Sequence, residues 1–115
     1  MHELSLVQSL LDIIEVQALE HGFEKVNSVK VSFGRIAAID PQSLEFAFSV
    51  QSQGTLAAGA DFIIDIKPLI IQCLSCGIKS EIESYEALCP ACGAWELEIK
   101  SGNEDLQLVE LDVDE

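Results

Sequence analysis

The sequence predicts an α+β fold: a small three-stranded sheet with two helices, into which a cysteine-paired ribbon module is inserted before the last strand. Three observations carry this reading. Two stretches place apolar residues three and four apart, the period of a helix with one buried face. Three others alternate apolar and polar residues, as half-buried strands do. Between the second and third of these the pattern gives way to two close cysteine pairs. The expected boundaries are an α+β body over 1–70, completed by 101–115 as its last strand, and a module over 71–100. A chain of 115 residues, 49% hydrophobic, is long enough for one such body and a small appended module.

The first helix is read from Leu4, Val7, Leu11, Ile14 and Ala18, with Leu10 and Ile13 widening the stripe. Gly22 follows as its C-cap, and His21 sits in the last turn, where the helix dipole favours a cation. Val29, Val31 and Phe33 alternate with Lys30 and Ser32 in a strand that ends at Gly34. Asp40 and Pro41 form a helix start, as N-cap and first helical residue. Leu44, Ala47, Phe48 and Gln51 then share one face. Gly54 and Gly59 mark residues 51–61 as a loop. Phe62, Ile64 and Ile66 form a second strand, bounded by Pro68, which Leu69-Ile70-Ile71 could prolong into the module. Residues 73–92 read as short turns around the cysteines. Leu97 and Ile99 alternate with Glu98 and Lys100. After a turn at Ser101-Gly102-Asn103, the segment Leu106 to Leu111 supplies the last strand.

Charge narrows the function classes. Six basic residues face 20 acidic ones, a formal net charge of −14. Such a field repels phosphate backbones and anionic bilayers, so neither nucleic acid nor membrane is an expected partner. It attracts cations and basic surfaces. Glu3, Asp12 and Glu15 interrupt the apolar N-terminal run, so neither a secretory leader nor a membrane span is expected there. The cysteines are therefore expected in a reducing cytoplasm, where metal ligation competes better than disulfides.

Cys73, Cys76, Cys89 and Cys92 are spaced C-x2-C-x12-C-x2-C. Each pair puts two thiolates on one tight turn, and four thiolates in a tetrahedron suit Zn(II). Gly77 and Gly93 supply the flexible residue after each pair. A disulfide pair, a redox dithiol and a rubredoxin-like iron site use the same residues. The compartment disfavours the first, and the Cys-Pro-Ala-Cys-Gly knuckle disfavours the second. Iron remains chemically feasible. A zinc held by four protein ligands has no open position for catalysis, so its expected role is structural.

The other metal pattern is Met1-His2-Glu3. The Met1 amine, the His2 amide and the His2 imidazole can chelate one ion through fused rings, with the Glu3 amide as a further nitrogen. Planar nitrogen ligation favours Ni(II) or Cu(II) over Zn(II). By itself the pattern is weak: His2 also reads as a solvated residue before a helix, and Glu3 as an acid placed for the helix dipole.

Taken together, Met1-His2-Glu3-Leu4-Ser5 at the head of an amphipathic helix and the C-x2-C…C-P-x-C-G module resemble the HypA/HybF family of hydrogenase nickel-incorporation metallochaperones. The middle segment also resembles that family, through Pro41-x-x-Leu44-x-Phe46-x-Phe48 and Gly54-Thr55-x-x-Ala58-Gly59-Ala60. Gly102 and Glu104 follow its pattern after the module. The resemblance implies a cytoplasmic carrier that binds transferable Ni(II) through Met1, His2 and Glu3 and structural Zn(II) through the four cysteines. It implies two partners, the GTPase of the maturation system and the precursor of the [NiFe]-hydrogenase large subunit, and no catalysis. The module holds no histidine, so a further nickel ligand would be water, Glu96, Glu98 or a donor from the partner.

Two rivals remain at this point. A rubredoxin-like electron carrier would bind iron, and a transcription-type zinc ribbon would fit the cysteines but not the charge. No nucleophile–base pair or phosphate loop supports an enzyme. Glu81, Glu83 and Glu86 read as a solvated acidic face, with partner docking as the minority reading.

Overall fold

The computed structural model describes residues 3–83 and 88–114. The chain runs α1 (Glu3–His21), β1 (Lys25–Gly34), a 3-10 turn (Arg35–Ala37), α2 (Pro41–Gln51), β2 (Asp61–Lys67), β3 (Leu69–Cys73), β4 (Lys79–Ile82), β5 (Leu97–Ser101) and β6 (Gln107–Asp114). The strands form two three-stranded sheets, in the orders β2-β1-β6 and β4-β3-β5. Two helices and two small sheets make the fold α+β, as expected.

The residues separate into two compact units, Met1–Val31 with Ile39–Ile64 and Leu108–Glu115, and Ser32–Ala38 with Asp65–Gln107. In the first unit α1 packs on α2. Val7, Leu10, Leu11, Ile14 and Ala18 of α1 are buried, with Val26, Val29 and Val31 of β1 and Leu44, Ala47 and Phe48 of α2. The Phe48 ring stacks on Phe62 of β2 at 4.4 Å between centroids. The expected stripe on α1 is therefore narrower than its period suggests: Leu4 and Ile13 remain 59% and 45% exposed. They have the right spacing, but too little of the chain covers the ends and flank of the helix.

Both helix signals hold. Gly22 takes φ 78° and its N–H donates to the Ala18 carbonyl at 2.8 Å, closing α1. Asp40 caps α2, accepting from the Gln42 N–H at 3.2 Å and the Ser43 hydroxyl at 2.8 Å. The loop 52–60 is a chain of tight turns, in which Thr55, Ala58 and Ala60 each donate an amide to a carbonyl three residues back.

The second unit is built on β3. It pairs antiparallel with β4 (Ile71 opposite Ser80) and with β5 (Ile71 opposite Ile99). Leu69, Ile71 and Ile82 form its core, with Leu97 and Ile99 packed against them. Two expectations change here. Leu69–Ile71 do not prolong β2: Pro68 has no N–H to offer a ladder, and beyond it the chain enters the other sheet. Residues 79–82 form a strand rather than turns. Its side chains alternate in and out, but two of the four are charged and the segment is too short for periodicity alone to show it.

Candidate metal centres

The cysteine centre grows from the end of β3. Cys73 is the last residue of that strand, and it and Cys89 are buried while Cys76 and Cys92 are exposed. Two knuckles repeat one hydrogen-bond pattern. Cys73 donates its N–H to the Ile78 carbonyl (3.1 Å) and accepts at its own carbonyl from Gly77 N–H (2.9 Å). Cys89 does the same with Ala94 (2.9 Å) and Gly93 (2.8 Å). Gly77 and Gly93 take φ 78° and 79°, a left-handed conformation that costs glycine nothing. The knuckles are joined where Leu74 N–H donates to the Glu96 carbonyl at 2.9 Å.

This arrangement gathers all four Sγ atoms within 4.8 Å of one another. Cys73 and Cys92 lie 3.6 Å apart, and Cys76 and Cys89 lie 3.8 Å apart. A tetrahedral ion with metal–sulfur bonds of about 2.3 Å requires sulfurs separated by about 3.8 Å. A disulfide requires about 2.05 Å. The cluster has the dimensions of a metal cage, and all four thiols are free.

Its electrostatics agree with that. The Cys76 amide, 3.4 Å from the Cys73 sulfur, holds that thiol down at about 6 against the opposing effect of burial, helped by the Ser75 amide. The Cys92 amide acts first in the same way on Cys89, which is also lowered. Cys92 is pushed up to about 12: the Ala94 amide favours its thiolate, but Cys73, burial, Cys76 and Cys89 together outweigh it. A dication bound among the sulfurs would favour their thiolate forms. Among the described residues no carboxylate joins the group. Glu98 is instead paired with Lys100 at 3.2 Å, and Glu83 with Arg35 at 3.3 Å. Glu86 lies outside the described residues.

Of the expected N-terminal ligands, Met1 and His2 lie outside the described residues, and Glu3 opens α1. Its amide is one of the four N–H groups that no carbonyl of the helix can reach. Glu3 lines a groove of about 580 Å³ with Leu4, Asp40, Ser43 and Phe46. Asp40 was legible in the sequence only as a helix cap. The packing of α1 on α2 also brings it into the lining of the same groove as Glu3, and no sequence signal points to that juxtaposition across 37 positions. His21 is at the far end of α1, exposed, beside a cleft formed by Gly22, Phe23 and Val113. It has no place near Glu3.

Comparison with known proteins decides the family. The family model described as hydrogenase/urease nickel incorporation, metallochaperone, hypA matches residues 1–113. The chain belongs to the HypA family. It is 50% identical over 114 residues to the hydrogenase maturation factor HypA of Syntrophus aciditrophicus, spanning 99% of this chain and 100% of that protein. It is 44% identical over 115 residues to HypA of Aquifex aeolicus, with the same coverage. The solution structure of the Ni metallochaperone HypA from Helicobacter pylori superposes with a TM-score of 0.65 at 26% identity, over 98% of this chain and 97% of that one. HypA proteins are thus described as metallochaperones and maturation factors, a class distinct from catalytic enzymes. Among the described residues, no helix is long and apolar enough to cross a membrane.

Proposed function

We propose that this chain is a cytoplasmic nickel carrier that collects Ni(II) at Met1, His2 and Glu3 and delivers it during maturation of [NiFe]-hydrogenase. The observation that carries the reading is the family match over residues 1–113, which spans the N-terminal motif and the cysteine module together. The relatives' names favour hydrogenase over urease as the destination.

Three features of the chain support the nickel ligand set. The start of α1 at Glu3 leaves the Glu3 amide outside the helical ladder. Glu3 and Asp40 line one groove, and two acidic residues there favour a dication nearby. Ligation at a chain terminus is only partly enclosed, which lets an acceptor displace the ligands one at a time. Release is as necessary to a carrier as capture.

In this reading Cys73, Cys76, Cys89 and Cys92 hold a resident Zn(II), whose chemical contribution is to lock the two knuckles together. The body over 1–70, completed by 101–115, bears nickel, and the module over 71–100 bears zinc. The chain's own residues bind, shield and release; they catalyse nothing. Its partners are the maturation GTPase and the hydrogenase large-subunit precursor, with neither nucleic acid nor membrane involved.

Metal analysis of the purified protein, followed by nickel titration of wild type and His2→Ala, tests the proposal. Zinc near one per chain in both, with nickel bound only by wild type, is expected. Bound iron, or equal nickel binding by both, would contradict it.

A further inference from the structure

The C-terminal half of α1 carries a second surface feature with no role in either metal centre. Ala18, Leu19, Phe23 and Leu56 line a groove of about 550 Å³ together with Glu15 and Glu24. Leu19 is 87% exposed, and Val16, one turn earlier on the same side, is 51% exposed. A single exposed leucine is ordinary. Here the leucine stands beside a groove and continues an apolar row along the helix.

Charge indicates what such a face accepts. From Glu3 to Glu24 the sequence carries five carboxylates and no Lys or Arg. Asp12, Glu15, Glu20 and Glu24 are all exposed. A second copy is a poor occupant, because each chain brings a net −14. The complementary surface is apolar at its centre and basic at its rim. Val16 and Leu19 are spaced i and i+3, about 5–6 Å between Cβ atoms, which matches the anchors of a helix laid along another helix.

We propose that this face of α1 docks an amphipathic helix of a partner protein, one whose apolar stripe is flanked by Lys or Arg. Leu19 and Val16 pack into that stripe, and the surrounding carboxylates meet the basic rim. Glu3 lies sixteen residues earlier, about 24 Å along the helix axis. Docking at this end therefore leaves the N-terminus free, and the inference stands whether or not nickel binds there.

The test uses the intact 15N-labelled protein and two synthetic helical peptides with the same leucine pattern, one with lysine and one with glutamate at the flanking positions. The lysine peptide is expected to shift amide signals over residues 16–24 and at Leu56, more weakly as salt rises. The glutamate peptide is expected to leave them in place. Leu19→Ser should weaken binding of the lysine peptide about 10-fold, corresponding to about 1.4 kcal/mol, and Val16→Ser should weaken it less. Signals elsewhere should be unchanged in both variants, since these side chains are exposed. No shift at millimolar lysine peptide would overturn the proposal. So would shifts scattered over other acidic surfaces with undiminished affinity in Leu19→Ser, or concentration-dependent shifts of the same amides without peptide, which would indicate self-association.

Discussion

Gly34 lies so close to Gly102 that a Cβ on Gly34 would sit 2.2 Å from the Gly102 carbonyl carbon and oxygen. The end of β1 is strapped there to the turn after β5. Gly34 N–H donates to the Glu104 carbonyl (2.8 Å), and Ile36 N–H donates to the Gly102 carbonyl (3.0 Å). The Gly102 amide in turn donates to the Glu104 carboxylate at 3.1 Å. Gly102 itself has φ 94°, and a Cβ there would meet Leu69 Cα and the Pro68 carbonyl oxygen, each at 2.5 Å.

Gly34→Ala should therefore destabilise the second unit by about 1–3 kcal/mol through overpacking against backbone that cannot move aside. Gly102→Ala should cost more, because it adds a strained φ to the same crowding. Urea midpoints of the two variants against wild type check this, and a midpoint unchanged in either would refute the close crossing.

Cap and charge can be separated at Asp40. Asp40→Ala removes the acceptors of the Gln42 amide and the Ser43 hydroxyl. It should lower stability by about 1 kcal/mol. Asp40→Asn keeps a capping oxygen and should stay close to wild type. Thermal unfolding of the pair measures the difference; equal losses would show that capping is not what Asp40 contributes.

Cys73→Ser should lose the bound metal and, with it, amide protection along β3, β4 and β5, because metal binding and folding are coupled at such a centre. A strong chelator should act on wild type in the same way. Hydrogen exchange at Ile71 and Ile99 reports directly on that sheet. Protection that survives metal loss would mean that the apolar core of Leu69, Ile71 and Ile82 holds the sheet unaided.

These elements differ in how legible they were. The α1 period, the Gly22 stop and the Asp40-Pro41 start are local signals, and the structure honours each. The cysteine spacing was equally clear, since four sulfurs within 4.8 Å follow from two short knuckles facing each other. What could not be read depends on distant partners. Exposure of Leu4 and Ile13 is decided by what covers the helix, not by its period. The split between β2 and β3 at Pro68, the strand at Lys79–Ile82 and the groove that Asp40 and Glu3 both line all depend on tertiary packing.

Nickel binding should also depend on pH. The proposed ligands bind only when deprotonated, and their ordinary pKa values are about 6.5 for imidazole and about 7.7–8.0 for the terminal amine. Protons compete more strongly as pH falls, so affinity should drop from pH 7 toward 6 and recover on return. Calorimetric titrations across that window check the sign, and a flat profile would count against amine and imidazole ligation.

The measurement closest to the central claim is a nickel titration of wild type beside His2→Ala and a variant with one residue added before Met1, with zinc content and amide spectra recorded for all three. The account predicts nickel binding by wild type alone, with zinc near one per chain and an unchanged fold throughout. Undiminished nickel stoichiometry in either variant would contradict it.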